Sequence, residues 1–209
     1  MNEGTLRILE AAAELFKQHG FKNVTMDDLA RRAGISKKTL YLHFENKADV
    51  VAQTQQYLHQ SQSKSCDMAS LGGRNAIEGM VKVARILDGL YQQINPIAIS
   101  ELQRFYPETY MQFRKAMFVK SAESIAENIK RGIEEGLYRP ELDPEILSRL
   151  KVEMALLIFQ PDSLLATTPS YLRLHQVLSD HFMWGLMTPK GQKIYLKYKD
   201  SYLQQDPKA

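Results

Sequence analysis

Lys37, Lys38, Thr39, Tyr41, His43 and Lys47 crowd into the stretch "AGISKKTLYLHFENK". Two adjacent ammonium groups, a hydroxyl, a phenol and an imidazole make a short run of cations and hydrogen-bond donors. That is chemistry for a polyanion with readable edges. A lysine on guanine O6/N7 specifies sequence, whereas the same lysine on a phosphate only positions the protein. Thr39 can donate to a phosphate or touch a thymine methyl. Tyr41 and His43 offer polar tips at phosphate distance. Lys47 opens the following helix, where its charge opposes the helix dipole, and an external anion would resolve that conflict. Thr25, Ser36, Lys37, Lys38, Thr39, Tyr41, His43 and Lys47 are therefore the candidate duplex-contacting residues.

Such side chains need a rigid support, and the flanking residues supply one. Thr25 is followed three residues later by Asp28, a variant of the capping box, so a helix is expected to begin at Thr25. Gly34 is expected to end it. Ser36 then caps a second helix carrying Leu40 and Phe44, which with Ala30 and Ile35 form an apolar lock between the two. Two helices joined by a turn of a few residues with a glycine in it read as a helix-turn-helix unit over about residues 25–44. A second helix with lysines at its leading end suits the DNA major groove. The bland alternative is a solvated, charged helix in an ordinary bundle. It suffices for any single lysine but not for the whole constellation.

Upstream, Ile8, Ala11, Ala12, Leu15 and Phe16 form one helical stripe that stops at Gly20. Downstream, Asn46 caps a helix with apolar positions at Val50, Val51, Thr54, Tyr57 and Leu58. Residues 5–51 resemble the TetR family of bacterial transcriptional regulators: Ala33, Gly34, Ser36, Leu40, Tyr41, His43, Phe44 and Lys47 all match its pattern. Lys38 departs from the small residue often found there, which should add charge near the bases. Val50-Val51 replaces a commoner leucine and should be neutral for packing. The phrase "RGIEEGLYRPELDPEI" is also one such regulators carry. The resemblance implies a homodimer on an inverted-repeat operator, a small-molecule effector cavity in the C-terminal part, and repression.

The totals agree with a folded regulator. The chain has 209 residues, 44% hydrophobic, with a formal net charge of +3. This is enough for a core and only mildly basic. The single cysteine, Cys66, excludes an internal disulfide or a cysteine metal cage. Charges at Glu3, Arg7, Glu10 and Glu14 interrupt any secretory leader, and the longest apolar run, "MALLIF", falls far short of a membrane span of roughly 20 residues. A cytoplasmic protein with no membrane partner is expected. The five histidines are dispersed, and His175 and His181 fall six apart. No metal-ligand spacing or catalytic motif is present, so no metal, no cofactor and no enzyme activity is expected.

The expected fold class is all-α. An N-terminal three-helix DNA-binding domain (residues 1–48) precedes a connecting helix and linker (49–73) and a larger C-terminal regulatory and dimerisation domain (74–209). Soft or aromatic residues at Met80, Phe105, Tyr110, Met111, Phe113 and Met117 are candidate pocket lining, although core packing is the commoner role for each. Two segments, 144–159 and 168–187, stay apolar on more than one face. Within them Leu150, Met154, Leu157, Leu178 and Phe182, with Ile158, are candidates for a two-fold dimer interface. Pro161 is expected to stop the first of these helices. An alternative keeps the DNA-binding head but has the C-terminal part recruit a protein partner, as a scaffold without an effector.

Overall fold

The computed structural model describes residues 2–93, 95–157 and 170–203. Ile158, Pro161 and the expected helix start at 168 lie outside them. The described residues form ten α-helices and no strand, an all-α fold with the helix-turn-helix at its N-terminal end. They fall into two compact units. The first comprises residues 1–62 and 94–116, the second 63–93 and 117–209.

The first unit contains α1 (Glu3–His19), α2 (Met26–Ala33), α3 (Lys37–His43), α6 (Pro96–Phe105) and the leading parts of α4 (Lys47–Leu71) and α7 (Pro107–Glu134). Its helix ends follow from local chemistry. Asn2 caps α1 by accepting the Thr5 N–H at 2.8 Å. Thr25 makes a reciprocal capping box with Asp28 and stands just ahead of α2. Gly34 then turns the chain with φ 67°, a left-handed conformation that a residue with a Cβ adopts at a cost. Ser36 Oγ accepts the Thr39 N–H to start α3, and Asn46 Oδ1 accepts the Asp49 N–H to start α4. The apolar stripes converge on one core: Leu9, Ala12, Phe16, Leu29, Ala33, Leu40, Phe44, Val50 and Leu102 are all buried in it.

The second unit is built on α5 (Ala76–Tyr91), α8 (Pro144–Leu157), α9 (Tyr171–Leu186), α10 (Pro189–Leu203) and the remainders of α4 and α7. Ile77, Ile129, Tyr138, Phe182, Met183 and Leu186 fill its core. Gly132 lets the Tyr138 ring lie against α7, since a Cβ there would sit 2.0 Å from the ring.

Candidate nucleic-acid interface

The locking role of the apolar residues explains the geometry of α3. Leu40 has no exposure and Phe44 almost none, so one side of α3 is fixed in the core beside α2. What remains points outward. Lys37 and Lys38 are exposed at the leading end, Tyr41 is 47% exposed, and Leu42 is 79% exposed. Leu42 was not among the candidate residues. It reads as one more leucine of an apolar lock until the lock is seen to need Leu40 and Phe44, two residues to either side.

The polar candidates have unequal commitments. Lys37 forms an exposed ion pair with Asp27 of α2 at 3.0 Å, and that hydrogen bond raises its pKa. Lys38 is exposed with no hydrogen bond or ion pair to any described residue. Ser36 Oγ lies 2.8 Å from Thr39 Oγ1 as well as accepting the Thr39 N–H, so both hydroxyls serve the helix start. Thr25 is exposed but engaged with Asp28, whose pKa is lowered chiefly by the hydrogen bond from the Thr25 hydroxyl. His43 does not present its Nδ1 outward: that atom lies 3.0 Å from Thr5 Oγ1 of α1. Lys47 is half-buried and donates to the Lys22 carbonyl at 3.3 Å, and burial lowers its pKa. A backbone oxygen thus takes the place of the external anion expected at Lys47. Arg31 is exposed beside Asp28, and Arg32 is paired with Glu14.

A second feature braces the same region. Glu101 of α6 accepts hydrogen bonds from the backbone N–H groups of Phe21 and Lys22, in the turn between α1 and α2. Leu102 beside it is buried in the first unit's core, and Tyr106 meets the Phe21 ring edge-on at 6.0 Å.

The other candidates lie where their surroundings dictate. In the first unit, Phe105 and Met111 are largely exposed, and Tyr110 has a buried hydroxyl with no partner among the described residues. Phe113 lines a hollow of about 240 Å³ with Gln53, Gln56, His59, Thr109 and Gln112. Burial there lowers the pKa of His59, whose ring meets Phe113 edge-on at 5.8 Å. In the second unit, Met80 is buried in the core and Met117 is half-buried. Leu150 and Leu157 of α8 are exposed, whereas Met154 and Leu178 are half-buried. Phe182 is only 6% exposed inside the unit's own core. Burial pushes the Cys66 thiol up to about 11, the opposite of what a reactive thiolate needs. Among the described residues, no group of acidic, histidine or cysteine side chains could hold a metal, and no helix is long and apolar enough to cross a membrane.

Two helices locked at a glycine turn, the second with an outward cationic end, define a helix-turn-helix head. Residues 8–54 match the family described as bacterial regulatory proteins, tetR family. The HTH-type transcriptional regulator SrpR of Pseudomonas putida is 40% identical over 45 residues, 22% of this chain and 21% of that protein. The HTH-type transcriptional repressor KstR2 of Mycobacterium tuberculosis is 25% identical over 152 residues, 68% and 72% of the two chains. The structure of SmeT, the repressor of the Stenotrophomonas maltophilia multidrug efflux pump SmeDEF, superposes with a TM-score of 0.62 at 20% identity, covering 88% of this chain and 91% of that one. This last likeness is one of fold. Against several curated relatives, the aligned region spans only 20% to 49% of their length.

Proposed function

We propose that the chain is a sequence-specific DNA-binding transcriptional regulator, a repressor that acts as a homodimer on an inverted-repeat operator. The observation that carries this reading is the division of α3: Leu40 is sealed in the core while Lys37, Lys38, Tyr41 and Leu42 face out. In a major groove the lysines meet phosphates or guanine edges, Tyr41 reaches the backbone, and Leu42 contacts a thymine methyl. Ser36, Thr39 and Thr25 hold helix starts, so their contact with DNA is through or beside the backbone N–H groups that they order. His43 contributes by fixing α3 to α1.

The dimer reading is supported by α8 and α9. Ile146, Leu150 and Leu157 on the first and Val177 and Trp184 on the second are large apolar side chains between 38% and 64% exposed. A two-fold contact between such faces would bury them. Dimer symmetry then sets half-site spacing near one helical turn, roughly 34–36 Å, or a multiple of it.

A small-molecule effector in the second unit would complete the switch by favouring a state that releases the operator, as coupled equilibria require. The SmeT fold has been solved as a SmeT-Triclosan complex, which supports a ligand-taking body in this fold. A scaffold without an effector would bind the same DNA and answer to no small molecule. Selection of bound duplexes from random DNA tests the core of the reading. A palindromic site with half-sites one turn apart or a multiple of it is expected, and recovery of no preferred sequence would overturn it.

A further inference from the structure

The second unit holds a continuous chain of hydrogen-bonded polar side chains that the DNA-binding reading does not use. It begins at Asp88 of α5, passes through His175 and Ser179 of α9, and ends at Lys151 of α8. Asp88 Oδ1 lies 2.7 Å from His175 Nδ1, and His175 Nε2 lies 3.1 Å from Ser179 Oγ. Lys151 Nζ lies 2.8 Å from the same Ser179 oxygen. Gln176 Nε2 donates to the other Asp88 oxygen at 3.3 Å. The His175 side chain is 4% exposed and that of Asp88 12% exposed.

The chemistry of the groups assigns every proton in this chain. A carboxylate only accepts, so His175 Nδ1 carries the hydrogen. Burial, the largest influence, holds the imidazole pKa below its ordinary range, so the ring is neutral and Nε2 is a bare acceptor. Ser179 therefore donates its O–H to Nε2 and accepts from Lys151. Tyr91 stacks on the His175 ring at 4.6 Å and fixes its plane. The result is a buried carboxylate, a histidine and a serine whose joint effect is to hold one ammonium group in place.

That ammonium is the incomplete part. Lys151 uses one of three N–H donors on Ser179, and it sits 5.4 Å from the Phe182 ring centroid. No carboxylate among the described residues lies within 4 Å of its Nζ. The residue is half-buried, and loss of hydration draws its pKa down to about 8. Asp88 at the far end of the chain favours the charge from a distance, but a desolvated ammonium with two N–H donors lacking an acceptor is costly. The apolar surroundings select an anion with an apolar body over a bare inorganic ion.

We propose that Lys151, held by the Ser179–His175–Asp88 chain, anchors a small-molecule site in the second unit that takes an organic monocarboxylate. The carboxylate receives the two remaining Lys151 N–H donors, and its aromatic or aliphatic body lies on the apolar side chains around Phe182. This deepens the effector part of the function proposed above and rests on it.

The test is calorimetric titration of the full chain with benzoate and with octanoate, each against its neutral amide. One carboxylate is expected to bind, with its amide weaker by about tenfold or more. Lys151→Met should lose that binding by about tenfold or more, while Lys151→Arg should keep it within a few-fold. A thermal melt of Lys151→Met establishes that it folds. Equal binding of acid and amide, no carboxylate binding up to ~10 mM, or full binding by folded Lys151→Met would each overturn the proposal. Operator binding is measured on the same samples. Carboxylate failure with operator binding intact sinks this inference alone, and the reverse outcome sinks the regulator reading alone.

Discussion

Glu101 of α6 closes on the turn between α1 and α2 by accepting the Phe21 N–H at 2.5 Å and the Lys22 N–H at 2.9 Å. A carboxylate on two backbone donors is a charge-assisted contact, stronger than a neutral hydrogen bond. The Lys22 carbonyl in turn accepts from Lys47, so one turn is held from α6 and from α4. Glu101→Ala leaves two N–H groups without their acceptor. It is expected to destabilise the first unit by about 1.5–3 kcal/mol in urea unfolding. Glu101→Gln keeps an acceptor and should cost less. Unchanged stability in Glu101→Ala would mean that water replaces the carboxylate without loss.

Asp27 competes with DNA for Lys37. Its carboxylate holds the ammonium at 3.0 Å in an exposed pair, and solvent screening keeps such a pair weak. Asp27→Asn is therefore expected to tighten DNA binding modestly at low salt, with the gain fading as salt rises. Filter binding or fluorescence anisotropy on a selected duplex reads this. Weaker binding in Asp27→Asn would show that the pair orients Lys37 and does not restrain it.

Leu40 has no exposed surface, so Leu40→Ala should cost about 2–5 kcal/mol and loosen α3 from α2. DNA affinity should fall with it. Leu42→Ala separates the two effects. Its side chain is 79% exposed, so stability should stay within about 0.5 kcal/mol while DNA affinity falls. If Leu42→Ala binds DNA like the parent protein, Leu42 lies off the DNA.

His175 makes stability pH-dependent. Its folded pKa lies below the unfolded value of 6.5, so the unfolded state takes up the proton first as pH falls. The stability it contributes is fully present above about 6.5 and is lost toward its lower folded value. The groups facing it are Asp88 and Tyr91 on α5, Lys151 on α8 and Ser179 on its own helix. Of these, Asp88 favours the imidazolium and Lys151 opposes it. Urea midpoints at pH 7.5 and 5.5 should fall for the parent protein and fall less for His175→Gln. Equal losses would assign the acid sensitivity to other groups.

Lys151 acts in the alkaline range. Its folded value of about 8 lies below the unfolded 10.5, so the charged form costs stability at neutral pH and the cost fades as pH rises through that interval. Lys151→Met removes the buried cation and is expected to raise stability at pH 7 by about 1–3 kcal/mol. The difference from the parent protein should shrink by pH 10. A destabilised Lys151→Met at neutral pH would mean that the ammonium is well compensated in the fold.

Much of the head is legible in the order of its residues because its signals are local. The Thr25–Asp28 box, the left-handed Gly34 and the Ser36 cap each act within a few residues, and together they bound α2 and α3. The apolar period likewise marks Leu40 and Phe44 for the core. What escapes the sequence depends on partners far along the chain. His43 looks like an outward polar tip until Thr5 is found beside it. Lys37 looks unengaged until Asp27 is met on the neighbouring helix. Glu101 and Phe21 are 80 positions apart, and nothing in either segment announces the other. Along the sequence His175 stands out only by its spacing to His181, while its true neighbours are Ser179 one turn on and Asp88 from another helix. Phe182, read as an interface residue, shares its apolar period with core and interface positions alike, and packing alone distinguishes them.

The central claim is that α3 meets duplex DNA with Lys37 and Lys38. The most direct measurement is the dependence of DNA affinity on salt for the parent protein and for Lys37→Ala/Lys38→Ala. Loss of two phosphate-neutralising lysines should weaken binding and reduce the slope of log K against log salt by about 2. The same affinity and the same slope in the double variant would contradict the account.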